Sequence, residues 1–433
     1  MKNLNILLPF FSFISVIICI NSYKGRKNFI CGTSKYDSNP ISANNVILND
    51  INQPLYLRQL EDTDEDGFKQ LNIYLDLVNI EQEIEDNELE DYKDIIINSL
   101  NRTKNVLETL LKVKLLENDY FFTDEEIKKL NINNWDKSKF GTDAYNNNKI
   151  TMKSLGTDLI IFSRFADNGE LDEDVLCHAS PKIFDNKTAQ PLIGIININK
   201  NIDLTKYKSQ EFMDSIMIHE FIHILGFTPF YLKYFNYIFT RENAYGVNKS
   251  FINSTKALQI ARKYYNCSSL DGIELESLAS ESNSSHWEAR ILLGDIMNEI
   301  IYPEEQVLSE ITLALLEDFG YYKANYYTGG LMRFGKNKGC DFLNTKCVND
   351  ELVNPYFENE FFNLNDIEPS CSSGRQSRTY NLIYYYSNIS KQFRYYDNEK
   401  WGGWETADFC PVAQEYESES VERYYVGDRK SVV

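Results

Sequence analysis

The motif His219-Glu-Phe-Ile-His223 has the residue types and the spacing of a metal site. On a helix, positions i and i+4 lie on the same face, so both imidazoles can reach one ion. Zinc accepts imidazole ligands, and a catalytic zinc site keeps one of its four positions open for water. Glu220 lies between the two histidines and could accept a proton from that water. The chain contains only four histidines in 433 residues, so this spacing is expected by chance roughly 0.003 times.

A catalytic zinc site of this kind needs a third protein ligand. Glu242 follows the motif at about the distance where one branch of zinc peptidases places a glutamate ligand. Gly226, however, ends the helix just after His223, which is the pattern of the branch with three histidines. Pro229 occupies the position where that branch usually has its third histidine, so the ligand must come from further away.

His286 is the preferred third ligand. It stands in the segment Ser284-Ser-His-Trp-Glu-Ala-Arg290, and Met297 follows a short distance later. A methionine beneath the metal is typical of the three-histidine branch. His178 lies in a segment rich in turn residues and is interpreted as an ordinary surface or loop histidine. Glu242 and His178 remain the alternatives.

Periodic apolar patterns predict the elements that must position these side chains. Strands are predicted at residues 71–77, 158–162 and 192–197, and the last two are apolar throughout, as in a mixed sheet. Helices are predicted at 91–113 and 210–225, where apolar residues recur at helical spacing. We expect an α+β fold in which a mixed sheet packs on both helices, followed by an irregular, disulfide-containing C-terminal region.

Changes in composition suggest five segments along the chain. We predict a signal peptide (1–22), a propeptide-like leader (23–66), an N-terminal catalytic subdomain with the zinc-binding helix (67–226), a central subdomain with the third ligand (227–335), and a cysteine-containing C-terminal region (336–433).

The charge and the N-terminus indicate partners and compartment. A formal net charge of −20 repels phosphate backbones, so nucleic-acid binding is not expected. Lys2 precedes an apolar stretch at residues 6–20, which has the layout of a secretory signal peptide and is short for a membrane span of about 20 residues. No later stretch resembles a transmembrane segment, and residues 428–433 lack the apolar tail of a lipid anchor. A secreted or secretory-pathway protein is therefore predicted.

The cysteines fit an oxidising compartment, in which disulfides persist. Cys19 would be removed with the signal peptide, and seven cysteines remain; if Cys31 is set aside, the other six could all pair. Glycosylation sequons also fit secretion, and they begin at Asn101, Asn186, Asn248, Asn253, Asn266, Asn283 and Asn388.

From about residue 70 to its end, the sequence resembles the leishmanolysin family of metzincin zinc peptidases. The matching segments follow the family's order and include His219-Glu-Phe-Ile-His-Ile-Leu-Gly-Phe227, Ala261-Arg-Lys-Tyr-Tyr-Asn-Cys-Ser-Ser-Leu270, Ser285-His-Trp-Glu-Ala-Arg290, Gly294-Asp-Ile-Met297, Ile311-Thr-Leu-Ala-Leu-Leu-Glu-Asp-Phe-Gly320, Gly339-Cys340 and Asp408-Phe-Cys-Pro411. The segment before Met297 reads Gly-Asp-Ile-Met where the family tends to have Glu-Leu-Met.

The resemblance implies one catalytic zinc ion held by His219, His223 and His286, with Glu220 as general base and Met297 as the Met-turn residue. It implies a secreted endopeptidase acting on protein or peptide substrates. It also implies that Cys31, in the leader, occupies the open zinc position in an inactive precursor; a disulfide between Cys31 and the catalytic domain is the alternative. The alternative from another class is a catalytically silent family member that acts as a binding or adhesion protein.

Overall fold

The structure is a computed structural model that describes residues 40–42 and most of 63–413. Within the second range, the positions outside the described residues are 118, 137, 140–151, 168–170, 172–174, 202–209, 277–283, 300–305, 327–331, 351, 365, 367–369, 375–377, 380 and 382. The predicted signal peptide and Cys31 also lie outside the described residues.

Short strands and helices alternate along the described chain. In order they are β1 (Ile41–Ser42), β2 (Phe68–Gln70), β3 (Ile73–Asp76), α1 (Val78–Asp86), α2 (Glu90–Leu110), β4 (Leu111–Lys114), α3 (Asp124–Lys128), α4 (Met152–Leu155), β5 (Leu159–Phe165), β6 (Cys177–Phe184), β7 (Pro191–Ile198), α5 (Gln210–Ile224), α6 (Pro229–Tyr234), β8 (Ile238–Glu242), β9 (Asn248–Ile252), α7 (Thr255–Tyr265), β10 (Ile273–Glu274), α8 (Ala289–Leu292), α9 (Glu310–Asp318), β11 (Tyr322–Ala324), α10 (Gly339–Asn344), β12 (Val348–Asn349), β13 (Leu352–Val353), β14 (Ser370–Cys371), β15 (Arg378–Thr379), β16 (Tyr384–Tyr385) and β17 (Trp401–Gly402).

A five-stranded mixed sheet has the spatial order β1-β6-β7-β5-β3. Strands β3, β5 and β7 run parallel, and β6 is antiparallel to β7. Both β5 and β7 are buried along their whole length, because each face of the sheet has its own apolar cover. Ile161 and Ile196 join the core shared with α2 and α5, whereas Ile160 and Ile195 join a second core with Trp135. The predicted α+β class with a mixed sheet is confirmed.

Helix α2 packs on β3 of the mixed sheet, as the sequence predicted, and it also packs on α5. Its buried side chains include Ile96, Leu100 and Leu107 at helical spacing. The predicted end of this helix at residue 113 is wrong. The helix stops at Leu110, and the chain continues without a turn into β4, because Leu111 takes an extended conformation and pairs with β11.

Helix α5 lies against β6, β7 and α2. The helix crosses β7 so closely at Gly194 that a Cβ there would overlap the side chain of Ile224. Gly226 follows the helix with φ +126°, a conformation that favours glycine, and its amide donates to the carbonyl of His223. The expected helix and its glycine stop are therefore both present.

The C-terminal region (336–433) is built from two-residue strands and short helical turns in its described part, as the composition indicated. Two disulfides connect Cys267 to Cys340 and Cys347 to Cys410. The first of them joins this region to the predicted central subdomain (227–335).

The six cysteines other than Cys31 could have formed three disulfides, but the described residues contain two. Among the described residues, Cys177 and Cys371 are free. Cys177 is buried at the start of β6, inside the core, whereas Cys371 is exposed on the surface, so the two thiols have different surroundings.

Two strands come from segments that the sequence predictions treated differently. β1 belongs to the predicted leader and pairs in parallel with the end of β6, through Ile41 opposite Ile183 and Ser42 opposite Phe184. The sequence predictions missed β6 itself.

No helix in the described part of the chain is long and apolar enough to cross a membrane. The segment boundaries given above stay predictions.

Candidate metal centre

Helix α5 presents His219 and His223 on one face, one turn apart. Both side chains are fully buried, and their ring centroids lie 4.7 Å apart. Their Nε2 atoms are separated by only 2.9 Å and face each other. The i, i+4 spacing therefore has the geometric result that the sequence suggested.

His286 comes to the same point from a segment far along the chain. Its Nε2 lies 3.2 Å from the Nε2 of His223, and its ring stacks on that of His219 at 5.2 Å between centroids. One nitrogen of each of the three rings lies within 4.8 Å of the other two. Backbone bridges from Trp287 to Leu275 and to Asn298 hold this segment in place.

The second ring nitrogen of two histidines is occupied by a backbone carbonyl. Nδ1 of His219 lies 2.5 Å from the carbonyl of Ile296, and Nδ1 of His223 lies 2.8 Å from that of Phe227. A carbonyl can only accept, so each Nδ1 carries the proton and each Nε2 keeps a lone pair for a metal.

The donor set fits zinc. Tetrahedral zinc with bonds of about 2.0–2.1 Å separates its nitrogen ligands by about 3.3 Å, close to the separations in this cluster. Burial lowers the pKa of His219 to about 4, against the opposing effect of its hydrogen bond to Ile296. Burial, and then the neighbouring histidines, also hold the pKa of His223 and of His286 well below the usual value. Neutral imidazole is the form that binds a metal.

Glu220 is fully buried between the two histidines of the helix. Its carboxylate lies close enough to β6 to affect Cys177. Burial is the main cause that raises the pKa of the Cys177 thiol well above its usual value, and the charge of Glu220 is the second. A carboxylate placed between two metal-binding imidazoles is suited to accept a proton from metal-bound water.

Met297 is fully buried in a tight turn beside His219. The carbonyl of Ile296 accepts from the His219 ring, and the Met297 carbonyl accepts from the amide of Trp287. Asp295 supports the turn by accepting from the Met297 amide at 2.7 Å. The predicted Met-turn thus contacts both the helix histidine and the segment of the third histidine through its main chain.

The alternative ligands lie in other surroundings. The interpretation of His178 as a surface or loop histidine is wrong, because it is buried within β6 and its Nδ1 lies 3.2 Å from the side-chain nitrogen of Asn197. It is not part of the histidine cluster. Glu242 ends β8 with an exposed side chain.

One group of buried charges was missed by the sequence predictions. Glu274, Glu288 and Asp408 place carboxylate oxygens within 4.8 Å of one another, and Lys249 and Arg290 lie among them. Three of these residues fall in segments quoted for the resemblance or next to them, but nothing in the sequence showed that they meet.

A mixed sheet covered by a helix that carries two of three clustered histidines is the architecture of a metallopeptidase. The family model described as leishmanolysin matches residues 90–425. The chain belongs to the leishmanolysin family of peptidases. Membership implies a metal ion cofactor, which is zinc in that family.

Known relatives share part of the chain at modest identity. Leishmanolysin from Leishmania donovani is 28% identical over 211 residues, which cover 47% of this chain and 34% of that protein. A leishmanolysin homolog from Crithidia fasciculata is 33% identical over 178 residues, covering 40% and 26%. A leishmanolysin-like peptidase from Caenorhabditis elegans is 25% identical over 297 residues, covering 54% and 44%. The matched segments span less than half the length of each relative.

Proposed function

We propose that this protein is a secreted zinc-dependent endopeptidase that hydrolyses peptide bonds of proteins. The observation that carries the proposal is the convergence of three buried, neutral imidazoles on one point, with Glu220 between two of them. Such a cluster is costly to bury unless a ligand satisfies its lone pairs, and a metal ion does so.

In this proposal His219, His223 and His286 hold the zinc ion. When bound, zinc polarises the substrate carbonyl and lowers the pKa of water toward about 7. Glu220 accepts a proton from the attacking water and later delivers it to the leaving amine. The carbonyls of Ile296 and Phe227 keep two of the imidazoles in the metal-binding tautomer.

Secretion is part of the proposal. The predicted signal peptide, the sequons and the two disulfides all fit an oxidising compartment. Proteins or peptides in that compartment would be the substrates.

The test is hydrolysis of a denatured protein such as casein by the purified, processed chain. We expect cleavage that a zinc chelator abolishes and that added zinc restores. A zinc-loaded, folded protein that cleaves neither casein nor a mixed peptide library would overturn the enzymatic proposal and favour the silent binding or adhesion protein.

A further inference from the structure

A buried cluster of charged side chains adjoins the segment that carries His286. It consists of Lys249, Arg290, Glu274, Glu288 and Asp408, and we call it the ion-pair cluster. The exposed fraction of every one of these residues is 5% or less. Burying so many charges is costly, so their pairing must be close to complete.

Each carboxylate oxygen of the cluster accepts a hydrogen bond. Lys249 Nζ lies 3.1 Å from both Glu288 Oε2 and Asp408 Oδ1. Arg290 reaches Asp408 Oδ2 at 3.2 Å and Glu274 Oε2 at 2.5 Å. The remaining oxygens accept from the side chain of Asn243 at 2.7 Å and from the Arg290 amide at 3.0 Å. The cluster is therefore a closed ion-pair network in which each of the six carboxylate oxygens accepts a hydrogen bond.

Both cations are held in their charged form. Burial alone would lower the pKa of Lys249, but Glu288 and then Asp408 reverse this effect and raise it well above the usual value. Burial alone would also lower the pKa of Arg290, but Glu274 and other carboxylates outweigh this effect and raise the pKa well above the usual value.

Two glutamates of the ion-pair cluster belong to the chain segments next to His286. Glu288 follows His286 by two positions and caps α8, and its amide donates to the carbonyl of Glu274 on the adjacent segment. One step further, the amide of Glu276 donates to the carbonyl of His286 at 3.0 Å. Glu274 and Glu288 therefore belong to the two chain segments whose backbone hydrogen bonds fix the position of the His286 imidazole.

Asp408 comes from the C-terminal region and is the point where both cations meet. Its backbone is in the left-handed conformation, and its carbonyl accepts from Tyr395 at 2.7 Å. Cys410, two positions later, is tied to Cys347 by a disulfide. These contacts fix the backbone of Asp408 within the C-terminal region, and they thereby fix the position of its carboxylate.

We propose that Asp408 is a positioning residue for the metal centre, acting on His286 through Lys249 and Arg290. The C-terminal region thereby contributes to metal affinity without supplying a ligand. This inference rests on the proposed function of the histidine cluster. Loss of the Asp408 charge leaves two buried cations with fewer partners, and the segments that they hold must shift to compensate.

The test measures the zinc dissociation constant of the full chain by competition with a chromophoric chelator. Asp408→Asn keeps the shape of the side chain and removes its charge. Outer-shell changes at metal sites typically weaken binding 10–100-fold, and we expect about 10-fold here because the effect passes through other side chains. Asp341→Asn removes the same charge from an exposed position of the C-terminal region and should leave the constant unchanged.

Two further measurements separate positioning from general stability. The cobalt-substituted Asp408→Asn protein should show altered d–d absorption, which reports the geometry of the ligands, whereas the Asp341→Asn protein should not. A lower unfolding midpoint of metal-free Asp408→Asn, combined with unchanged zinc affinity and an unchanged cobalt spectrum, overturns the inference.

If Asp408→Asn does not fold, the double variant Lys249→Met/Asp408→Asn is used in the same assays. It removes one positive and one negative charge together. Unchanged zinc affinity in this double variant also overturns the inference. Failure of the unaltered protein to bind zinc has a different meaning, since it overturns the proposed function as well.

Discussion

The imidazole of His219 donates from Nδ1 to the carbonyl of Ile296, 2.5 Å away, although the two residues are 77 positions apart. This contact joins helix α5, which carries two of the proposed zinc ligands, to the turn of Met297. It also leaves the Nε2 lone pair of His219 directed at the other two histidines.

Glu220→Gln should abolish peptide hydrolysis while zinc remains bound. Glu220 is buried between two of the proposed ligands without being one, and glutamine cannot accept a proton from water. Loss of a general base typically costs about 10²–10⁴-fold in rate. The rate is measured on a peptide substrate together with the zinc content. Glu211→Gln, an exposed change on the same helix, is the control and should retain full activity; near-normal turnover of Glu220→Gln would show that its assigned role is wrong.

His286→Ala should strip zinc from the protein, whereas His178→Ala and Glu242→Gln should retain it. Removing one of three ligands loses a bond and opens the four-coordinate site. His178 lies in β6 and Glu242 is exposed at the end of β8, outside the histidine cluster. Metal analysis of the three purified variants checks this, and a zinc-replete His286→Ala protein would contradict the ligand assignment.

His178 should make the metal-free protein less stable in acid. Burial, with smaller effects from Lys182 and Arg164, lowers its folded-state pKa to about 3, against about 6.5 in an unfolded chain. Between these values the unfolded chain binds one more proton, so the free energy of unfolding falls as the pH falls from 6.5, by up to about 1.4 kcal/mol per pH unit. About one pH unit above 6.5 and higher, His178 is neutral in both states and contributes no pH dependence.

Denaturant unfolding of metal-free protein at several pH values checks this expectation. His178→Asn should flatten the decline between pH 6 and 4, while the two proteins keep parallel profiles above pH 7. Equal slopes in acid would mean that His178 binds its proton equally well in the folded and the unfolded chain, which would contradict the lowered pKa.

Gly194→Ala should destabilise the fold by about 1–3 kcal/mol, the usual cost of overpacking a core. The added Cβ would overlap Ile224 where α5 crosses β7. Ile224→Ala in the same chain removes the obstructing atoms, so the double variant should be more stable than the sum of the single changes predicts. Unfolding midpoints of the four proteins of this cycle decide it, and strict additivity would argue against the close approach.

Cys31→Ser should give a precursor that is active without cleavage, whereas the unaltered precursor should stay inactive until it is cut near residues 60–70. A thiolate is a good zinc ligand and would displace the catalytic water. Cys31 lies outside the described residues, but Ile41 and Ser42 of the same predicted leader pair with β6 of the five-stranded sheet. Peptidase assays before and after cleavage test this. An unaltered precursor with full activity, or a disulfide at Cys31 detected by mass spectrometry, would refute it.

Local patterns in the sequence were sufficient to predict the features that depend on residues close together in the chain. The period of apolar residues predicted α5 and its end at Gly226, because burial of one helix face and the left-handed glycine are local requirements. The apolar runs at 159–162 in β5 and 192–196 in β7 predicted both strands, because a strand that is covered on both faces needs consecutive apolar residues. The proposed ligands His219 and His223 lie four residues apart, so helix geometry alone placed them together.

Tertiary structure decided what depends on residues distant in the chain. β6 has polar residues and a proline, and it became a buried strand only because β7 offered a partner and α5 a cover. The same burial made His178 a core residue and left Cys177 without a disulfide partner among the described residues. Lys249, Arg290 and Asp408 meet across three segments, and no local pattern marks charges that will neutralise one another. Periodicity predicts which faces are buried, but only packing determines which side chains come into contact there.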